Sequence, residues 1–536
     1  MLMTLFLIAV VVFSVAYVVY GKFQNRVYEL DAKAKTPSEL YFDGMDYVPA
    51  HPEVLLGHHF ASIAGAGPIV GPITAASLFG WLPAYLWCLL GSVFFGGVHD
   101  MGSIVASIRH KGFSVGEVVD RWIGHRGKKI FLCFTWLTLI LVVAVFLELS
   151  AQSFAADPAV AFSATLYIAM ALIFGVLIYR MGVSLWVSTA VMVPIVIGAI
   201  FYANSAEWIR EIFTLDVNVW RLILVGYIFA ASVLPVWLLL QPRDYLASYM
   251  LYFSVFIGTI GMLFGGRYEV TLPAFKGFTT ADGAFIWPML FVVVACGAIS
   301  GFHSLVGSGT TAKQLRKETD ARPIGYGGML LEGLVAVIAI GTVMISGSIA
   351  KGGPTVTYAQ GLGQFAGLIG INPTIGTSLG LLALNSFLLT SLDTATRLSR
   401  YQLQELTGMR LDRYTATAVG VALAMVLLFY KTGNKPAWAL IWPVFGASNQ
   451  LVAALALLAV AVWVTKGLKK NATFLMLPMW FMLVTTVAAL FLLIKANLKN
   501  PLLSGISVIL LVLAVLLVKE ALDALKRKDP LPSSTE

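Results

Sequence analysis

Long apolar runs separated by short polar segments repeat along the whole chain of 536 residues. Most of these runs approach or exceed the roughly 20 residues that a helix needs to cross a bilayer core of about 30 Å. Fifteen runs of this kind cover residues 2–20, 55–76, 81–108, 129–155, 158–179, 183–203, 218–241, 244–265, 286–311, 324–349, 374–396, 414–430, 437–464, 474–494 and 501–519. The pattern predicts an all-α polytopic membrane protein with about 15 transmembrane helices.

The distribution of Lys and Arg predicts how these spans are oriented. When residues 21–56 are assigned to the cytoplasm and each span reverses the side, about three quarters of the 36 Lys and Arg residues fall in cytoplasmic loops. A missed or extra span would scramble this bias in the rest of the chain. The N-terminus is therefore predicted outside, and the C-terminus, with Lys526, Arg527 and Lys528, is predicted inside.

Composition supports a lipid environment. The chain is 59% hydrophobic and 12% charged, with a mean hydropathy of +0.85, whereas soluble domains are about half apolar and about a quarter charged. The net charge of +9 does not predict a nucleic-acid partner, because the basic residues lie between apolar runs. The three cysteines fall inside apolar segments, so no disulfide framework is predicted. No cofactor is predicted, and the oligomeric state stays open.

The first apolar run, Met1 to Tyr20, lacks a basic segment before it and a small-residue cleavage site after it. It is interpreted as a retained helix rather than a signal peptide. A bacterial-type inner membrane is the predicted location.

Two spans carry signals for a broken helix. In the second span, Gly65 and Gly67 precede Pro68, so the helix is expected to unwind there and restart with proline in its first turn. Five spans later, Ser232 and Pro235 repeat a similar pattern in a segment of opposite direction. Kinks of this kind are common in membrane helices, but matched breaks in opposed halves are typical of an inverted repeat.

The predicted organisation follows from these two breaks. Residues 1–54 form a leading helix and a cytoplasmic loop, and residues 55–203 form a first five-helix repeat. Residues 218–396 form the inverted second repeat, with its break facing the first at mid-membrane. Residues 397–536 contribute four trailing helices and a short tail. The core is thus a five-plus-five, leucine-transporter-like arrangement.

Unwound backbone at mid-membrane predicts a substrate site. Free amides and the positive end of a half-helix favour a carboxylate. The residues predicted to bind substrate are Ser62, Gly65, Ala66, Gly67 and Ser232. The two serines could equally bond to the preceding turn and stabilise the kink. Ser300, Ser304 and Ser308 form a hydroxyl stripe that could hold a sodium ion, or simply allow close helix packing.

Ionisable residues within membrane spans are costly and are usually functional. The candidates for carrying a coupling proton are His303, His58, His59, His99 and Asp100. Histidine changes charge near neutral pH, although each could instead serve packing. A metal or haem site would need several converging histidines, which spacing does not show, so no metal is predicted.

Two further carboxylates have structural interpretations. Asp393 and Arg397, four residues apart, are expected to form an ion pair. Glu332 is expected near an interface, paired with an arginine of a loop.

Several motifs give the chain a family resemblance. The most specific is the run His-His-Phe-Ala-Ser-Ile-Ala-Gly-Ala-Gly-Pro at residues 58–68. Others are Asp-Gly-Met-Asp-Tyr-Val-Pro at 43–49, Gly-Trp-Leu-Pro-Ala at 80–84, Arg-His-Lys-Gly at 109–112, Gln-Pro-Arg-Asp-Tyr-Leu at 241–246 and the helix from Ser300 to Thr311. Over at least residues 20–400, the chain resembles the carbon starvation protein A family.

The resemblance implies an inner-membrane permease of the amino-acid/polyamine/organocation superfamily. It also implies uptake of peptides or pyruvate coupled to protons. The predicted function is therefore secondary active transport of a small-molecule substrate together with a coupling ion, with sodium as the alternative ion. A transporter-like sensor and a histidine-ligated membrane redox protein are the alternatives from other classes. No enzymatic activity is predicted, and no Walker motif for ATP-driven transport is present in the sequence.

Overall fold

The structure is a computed structural model that describes residues 1–43, 47–235, 238–429, 437–498 and 500–526. Parts of several predicted features lie outside these residues: Gly44 to Asp46 of one family motif, Val236 and Trp237 of the seventh span, Tyr430 of the twelfth, and Arg527 and Lys528 of the tail. Within the described ranges the fold is helical, with isolated bridges at Ala50–Leu315 and Thr279–Phe285 and no strand.

Twenty-two α-helices follow one another in the described part of the chain. They are α1 Leu2–Val27, α2 Pro37–Leu40, α3 Pro52–Ile63, α4 Gly67–Phe79, α5 Trp81–Gly91, α6 Gly97–Arg109, α7 Val115–Trp122, α8 His125–Ala156, α9 Pro158–Tyr179, α10 Leu185–Ser205, α11 Glu207–Phe213, α12 Val217–Val233, α13 Leu240–Phe264, α14 Ile286–Val294, α15 Gly301–Gly309, α16 Gly327–Ser346, α17 Pro354–Ala366, α18 Pro373–Leu406, α19 Arg413–Phe429, α20 Ala437–Lys466, α21 Thr473–Ala496 and α22 Pro501–Lys526. Two π-helical segments, Ser92–Gly96 and Arg322–Tyr326, lead directly into α6 and α16.

The predicted all-α polytopic class is confirmed. Eleven helices in the described residues are long and apolar enough to cross a membrane, or up to 13 if each bent pair counts as one span. The count of 15 is not confirmed. The other two predicted spans correspond to the interrupted segment α14–α15 and to α19, an apolar helix of 17 residues.

The interior of the bundle is formed by its longest helices. Helix α18 has 34 residues and packs against α8, α13, α17 and α12. Helix α20 packs against α8, α21, α22 and α15, and its most apolar stretch is fully buried. By contrast, α1 and α22 are mostly exposed and apolar, as expected for helices that face lipid. The buried helices α8, α18 and α20 surround the two helix interruptions that form the candidate site.

Candidate functional site

The first helix break lies where the sequence predicts it. Helix α3 ends at Ile63, and α4 starts at Gly67 with Pro68 in its first turn, at an angle of 42° to α3. Proline has no N–H to donate and is tolerated in the first turn of a helix, where the amides have no intrahelical acceptor. The connecting residues are buried, so the backbone of this turn faces the protein interior, with the amides of Ala64 and Gly65 donating to the carbonyls of Phe60 and Ile63.

A second interruption packs directly against the first. It lies between α14 and α15, where the short 3₁₀ turn Ala295–Gly297 is followed by extended backbone at Ser300. A Cβ atom at Gly67 would overlap Cys296, and one at Gly71 would overlap the backbone of Val294. Glycine is therefore required where the two broken helices touch. The prediction of one continuous helix over residues 286–311 is wrong. The interruption gave no signal in the sequence, because no proline stands next to Gly297 or Gly301.

The predicted break at Ser232–Pro235 does not pack against the first break. Helix α12 does end at Val233, but the Ser232 hydroxyl is 3.0 Å from Thr417 Oγ1 and its carbonyl accepts a hydrogen bond from Arg400. Gly65 instead lies beside Ser391, nine residues before Arg400 on α18, which is about 13 Å along the helix. The expected meeting of the two predicted breaks is therefore corrected: α14–α15 supplies the interruption that meets the first one.

A small cavity lies at the junction of the two interruptions. Ile63, Gly65, Gly67, Val142, Phe146, Cys296, Phe302, Ser391 and Phe445 line it. It has room for about one water molecule. Its wall is apolar except for the backbone around Gly65 and the side chains of Ser391 and Cys296. Three of the predicted substrate residues, Gly65, Ala66 and Gly67, form or adjoin this wall, whereas the hydroxyl of Ser62 donates to the His58 carbonyl at 2.8 Å.

Asn449 on α20 holds the second interruption in place. Its side-chain oxygen accepts a hydrogen bond from the Phe302 amide at 3.0 Å, and its amide group donates to Ser300 Oγ at 3.1 Å. Asn449 is fully buried. Asn449 is not among the residues predicted from the sequence, although the polar Ser-Asn-Gln triplet at 448–450 interrupts an apolar run and is a signal for it.

The predicted hydroxyl stripe is divided by the interruption, because Ser300 precedes α15 while Ser304 and Ser308 lie within it. Ser304 donates to the Gly301 carbonyl at 2.7 Å, and Ser308 donates to the Ser304 carbonyl at 2.6 Å. These hydroxyls thus stabilise their own helix, and Ser308 Oγ also accepts from the amide of Val115.

Four ionisable side chains meet in the buried interior around His303. His303 Nδ1 lies 2.8 Å from Asp100 Oδ2, and His99 Nδ1 lies 2.7 Å from Asp100 Oδ1. His303 Nε2 lies 3.2 Å from Glu332 Oε2. All four residues have no exposed side-chain surface. We call these residues, His99, Asp100, His303 and Glu332, the histidine–carboxylate cluster.

Glu332 corrects one interpretation of the sequence. It was expected near an interface, paired with an arginine of a loop, but it is fully buried beside His303. Of the other predicted histidines, His59 lies near the cluster and His58 is not part of it. His59 Nδ1 is 2.8 Å from Thr311 Oγ1 and its ring lies close to Gly328, one turn before Glu332, whereas His58 is only half-buried.

A separate buried ion pair joins α13 to α18. Arg243 pairs with Asp393, and both side chains have no exposed surface. The Tyr227 hydroxyl donates to Asp393 at 2.7 Å. The expected Asp393–Arg397 pair is thus wrong, since Arg397 donates to the carbonyls of Ala231 and Leu234. Arg243, assigned by the sequence to a short cytoplasmic loop, lies inside a helix.

In the described part of the chain, no group of three or more His, Cys, Asp and Glu residues is arranged to hold a metal ion.

The interrupted helices, the buried ionic groups and the many apolar spans define an integral membrane protein with an all-helical transporter-like architecture. The sequence profile described as "Carbon starvation protein CstA" matches residues 1–348 and 343–489. The chain therefore belongs to the carbon starvation protein CstA family.

Curated relatives match over most of their lengths. The peptide transporter CstA of Bacillus subtilis is 31% identical, over 96% of this chain and 94% of its own. The peptide transporter CstA of Campylobacter jejuni is 31% identical, over 89% of this chain and 78% of its own. The pyruvate/proton symporter BtsT of Escherichia coli is 30% identical, over 93% of this chain and 82% of its own.

Among solved structures, the manganese transporter of Eremococcus coleocola aligns with a TM-score of 0.50 at 12% identity. The alignment covers 91% of this chain and 99% of that chain. At this identity the likeness shows the fold alone, and it agrees with the predicted fold class.

Proposed function

We propose that the protein is a proton-coupled symporter that imports peptides or small carboxylates such as pyruvate across the inner membrane. The observation that carries the proposal is the histidine–carboxylate cluster, which lies in the buried interior next to the helix interruptions. Histidine and carboxyl groups bind and release protons in the physiological range, and membrane proteins bury such groups at functional sites. The activities named for the relatives, peptide transport and pyruvate/proton symport, support the same function.

The substrate site of this proposal is the cavity at the first break. The backbone of Gly65, Ala66 and Gly67 lies at its wall, and the positive end of α4 faces it, which favours a carboxylate. Ser62 contributes to the shape of the break through its bond to His58. Ser232 is left out of the site, because its contacts are with Thr417 and Arg400. Because the cavity has room for only about one water molecule, substrate entry requires the lining helices to separate.

Sodium is the less favoured coupling ion. A sodium site needs several oxygen atoms that converge on one point, but Ser304 and Ser308 donate to carbonyls of their own helix. Ser300 is held by Asn449. The proposed partners are therefore a small-molecule substrate, a proton and membrane lipid. The outside location of the N-terminus and the inside location of the C-terminus stay predictions.

We infer a revised inverted repeat that relates residues 52–205 to residues 286–466. Each unit starts with an interrupted helix, α3–α4 or α14–α15, and continues with a helix that contains a π-helical segment. A short helix follows, α7 or α17, and then a long helix of 32 or 34 residues, α8 or α18. This order supports the revised boundaries over the predicted second unit, 218–396. Superposition of the two units after inversion, in an experimental structure, tests the inference.

Transport by the full-length protein reconstituted into proteoliposomes tests the proposed function. Uptake of labelled pyruvate and of labelled dipeptides is measured with an inward proton gradient and an inward sodium gradient, imposed separately. We expect accumulation of at least one substrate under the proton gradient without sodium. Accumulation that depends strictly on sodium, or no uptake of either substrate class by protein shown to be inserted and folded, would contradict the proposal.

A further inference from the structure

Glu332 on α16 is the member of the histidine–carboxylate cluster that the sequence did not predict as a candidate for coupling. We infer that Glu332 is the group that takes up and releases the coupling proton, and that His303 positions it. The inference rests on the proposed proton-coupled transport and names the residue that performs the coupling.

The two carboxyl groups of the cluster differ in their contacts. Asp100 has an imidazole nitrogen against each of its oxygens, from His303 at 2.8 Å and from His99 at 2.7 Å. Glu332 has only His303 within ion-pair distance, at 3.2 Å, and neither of its oxygens makes an aligned hydrogen bond among the described residues. A buried carboxylate without hydrogen bonds is costly, while a protonated one is much less so. Of the two carboxyls, Glu332 is therefore the one whose neutral form the surroundings favour.

The charges around Glu332 lead to the same conclusion. Protonated His303 and ionised Asp100 cancel each other, so a second ionised carboxyl leaves an uncompensated negative charge in the interior. Among the described residues, the other titratable groups that face this region are His59, near Gly328 on the same helix, the thiol of Cys88 on α5 and the thiol of Cys296 beside His303. In the part of the chain that the structure describes, no Lys or Arg forms an ion pair with Glu332. One added proton on Glu332 makes the cluster neutral.

The coupling step is a single proton transfer. In the loaded state, a proton from water on the entry side forms the O–H bond of the Glu332 carboxylic acid. In the unloading state, that O–H bond breaks, the proton leaves to water on the opposite side, and the carboxylate is left beside the His303 imidazolium. One proton enters and one leaves, and no other bond changes.

Helix α15 connects this step to the substrate. Phe302 lines the cavity at the first break, and the next residue, His303, contacts both carboxyl groups. A movement of α15 that opens the cavity therefore changes the distance between His303 and Glu332. Substrate binding and proton binding are thus linked through α15, a half-helix of nine residues.

The test compares Glu332→Gln with the parent protein in proteoliposomes, using labelled pyruvate and a labelled dipeptide. Glutamine keeps the size of glutamate but has no proton to exchange. We expect loss of proton-driven accumulation, down to the level without a gradient, while exchange of labelled for unlabelled substrate across the membrane continues and no longer depends on pH. Glu148→Gln is the matched control, since Glu148 is also a buried carboxylate, but its partners are Arg221 and Gln152 rather than members of the cluster. This variant should keep proton-driven accumulation.

Two outcomes separate this inference from the proposed function. If the parent protein shows no response to a proton gradient, the proposed function fails and the inference with it. If the parent responds and Glu332→Gln accumulates substrate equally well, the inference alone is overturned. Should Glu332→Gln fail to insert, Glu332→Asp carries the test: it keeps a carboxyl at a changed distance from His303 and should shift the pH dependence of uptake, and an unchanged pH profile would overturn the inference.

Discussion

The side-chain oxygen of Asn449 accepts a hydrogen bond from the backbone N–H of Phe302, 3.0 Å away, at the first turn of α15. The first amides of a helix have no partner within the helix. Here a side chain from another transmembrane helix, α20, supplies the partner that a capping residue would normally provide. The position of the half-helix that carries Phe302 and His303 therefore depends on one buried asparagine.

Replacing Asn449 with alanine is expected to lower the free energy of unfolding by about 1–3 kcal/mol, because the buried amide of Phe302 loses its acceptor. Thermal unfolding in detergent measures this as a lower midpoint. Asn204→Ala serves as the control, since Asn204 donates only to the Ile200 carbonyl one turn before it; its midpoint should stay close to that of the parent. Equal midpoints for the two variants would contradict the capping role.

Gly67→Ala is expected to abolish uptake while the protein still inserts, because the new Cβ overlaps Cys296 where the two interruptions touch. Adding Cys296→Gly should restore part of the uptake by removing the side chain in the way. The control is Gly226→Ala, where a Cβ meets no atom within 4 Å. Normal uptake by Gly67→Ala at normal expression would show that the close approach is not needed for transport.

His303→Gln is expected to lose proton-driven accumulation and keep exchange. Glutamine retains hydrogen-bonding capacity but takes up no proton near neutral pH, so the charge balance between Asp100 and Glu332 is lost. His51→Gln is the control, because His51 is exposed at the start of α3. Proton-driven accumulation in His303→Gln at the parent level would exclude His303 from coupling.

Asp393→Asn should destabilise the protein by about 3 kcal/mol, since it leaves the fully buried guanidinium of Arg243 with Asp244, 3.1 Å away, as its remaining counter-charge. Replacing both residues, with Arg243→Met and Asp393→Leu, should recover part of the loss. The comparison is Arg126→Gln, which removes a largely exposed partner of Glu520 and should cost less than about 1 kcal/mol. Thermal unfolding in detergent ranks the three variants, and similar losses for Asp393→Asn and Arg126→Gln would argue against a buried pair.

Substrate should protect Cys296 from a small thiol reagent. Cys296 lines the cavity at the first break, so modification in a protein with Cys88→Ala and Cys133→Ala should inhibit uptake, and saturating pyruvate or dipeptide should slow that inhibition. Mass spectrometry of the modified protein identifies the labelled residue. Inhibition at an unchanged rate in the presence of a transported substrate would place the substrate elsewhere.

The hydrophobic pattern predicted the fold class, and Pro68 after Gly67 predicted the first break. Both signals are local: apolar length fixes a span, and proline removes a helical hydrogen bond. The second interruption escaped prediction because its cause is not local. Asn449, about 150 residues further along the chain, accepts a hydrogen bond from the Phe302 backbone amide and donates one to the Ser300 hydroxyl.

The histidine–carboxylate cluster could be predicted only in part, for the same reason. Histidine and aspartate within spans identified His99, Asp100 and His303 as candidates, because ionisable groups in a membrane are costly. Which of them meet could not be predicted, since their neighbours depend on helix rotation. The sequence predicts an ion pair between Glu332 and an arginine of a loop. It also predicts one between Asp393 and Arg397, four residues further along the same helix. In both cases the actual partner comes from another helix, His303 and Arg243 respectively.

Helix α18 is a single rod of 34 residues, roughly 50 Å long. Near the middle of α18, Ser391 lies beside the first break. About one to three turns further on, Arg397 and Arg400 donate hydrogen bonds to carbonyls at the end of α12. A rigid helix that tilts about a point away from both contacts moves at both of them. A tilt of α18 that moves Ser391 away from the cavity therefore also displaces the end of α12. Helix α18 acts as a lever, and its stiffness determines how much of a displacement at the cavity reaches α12.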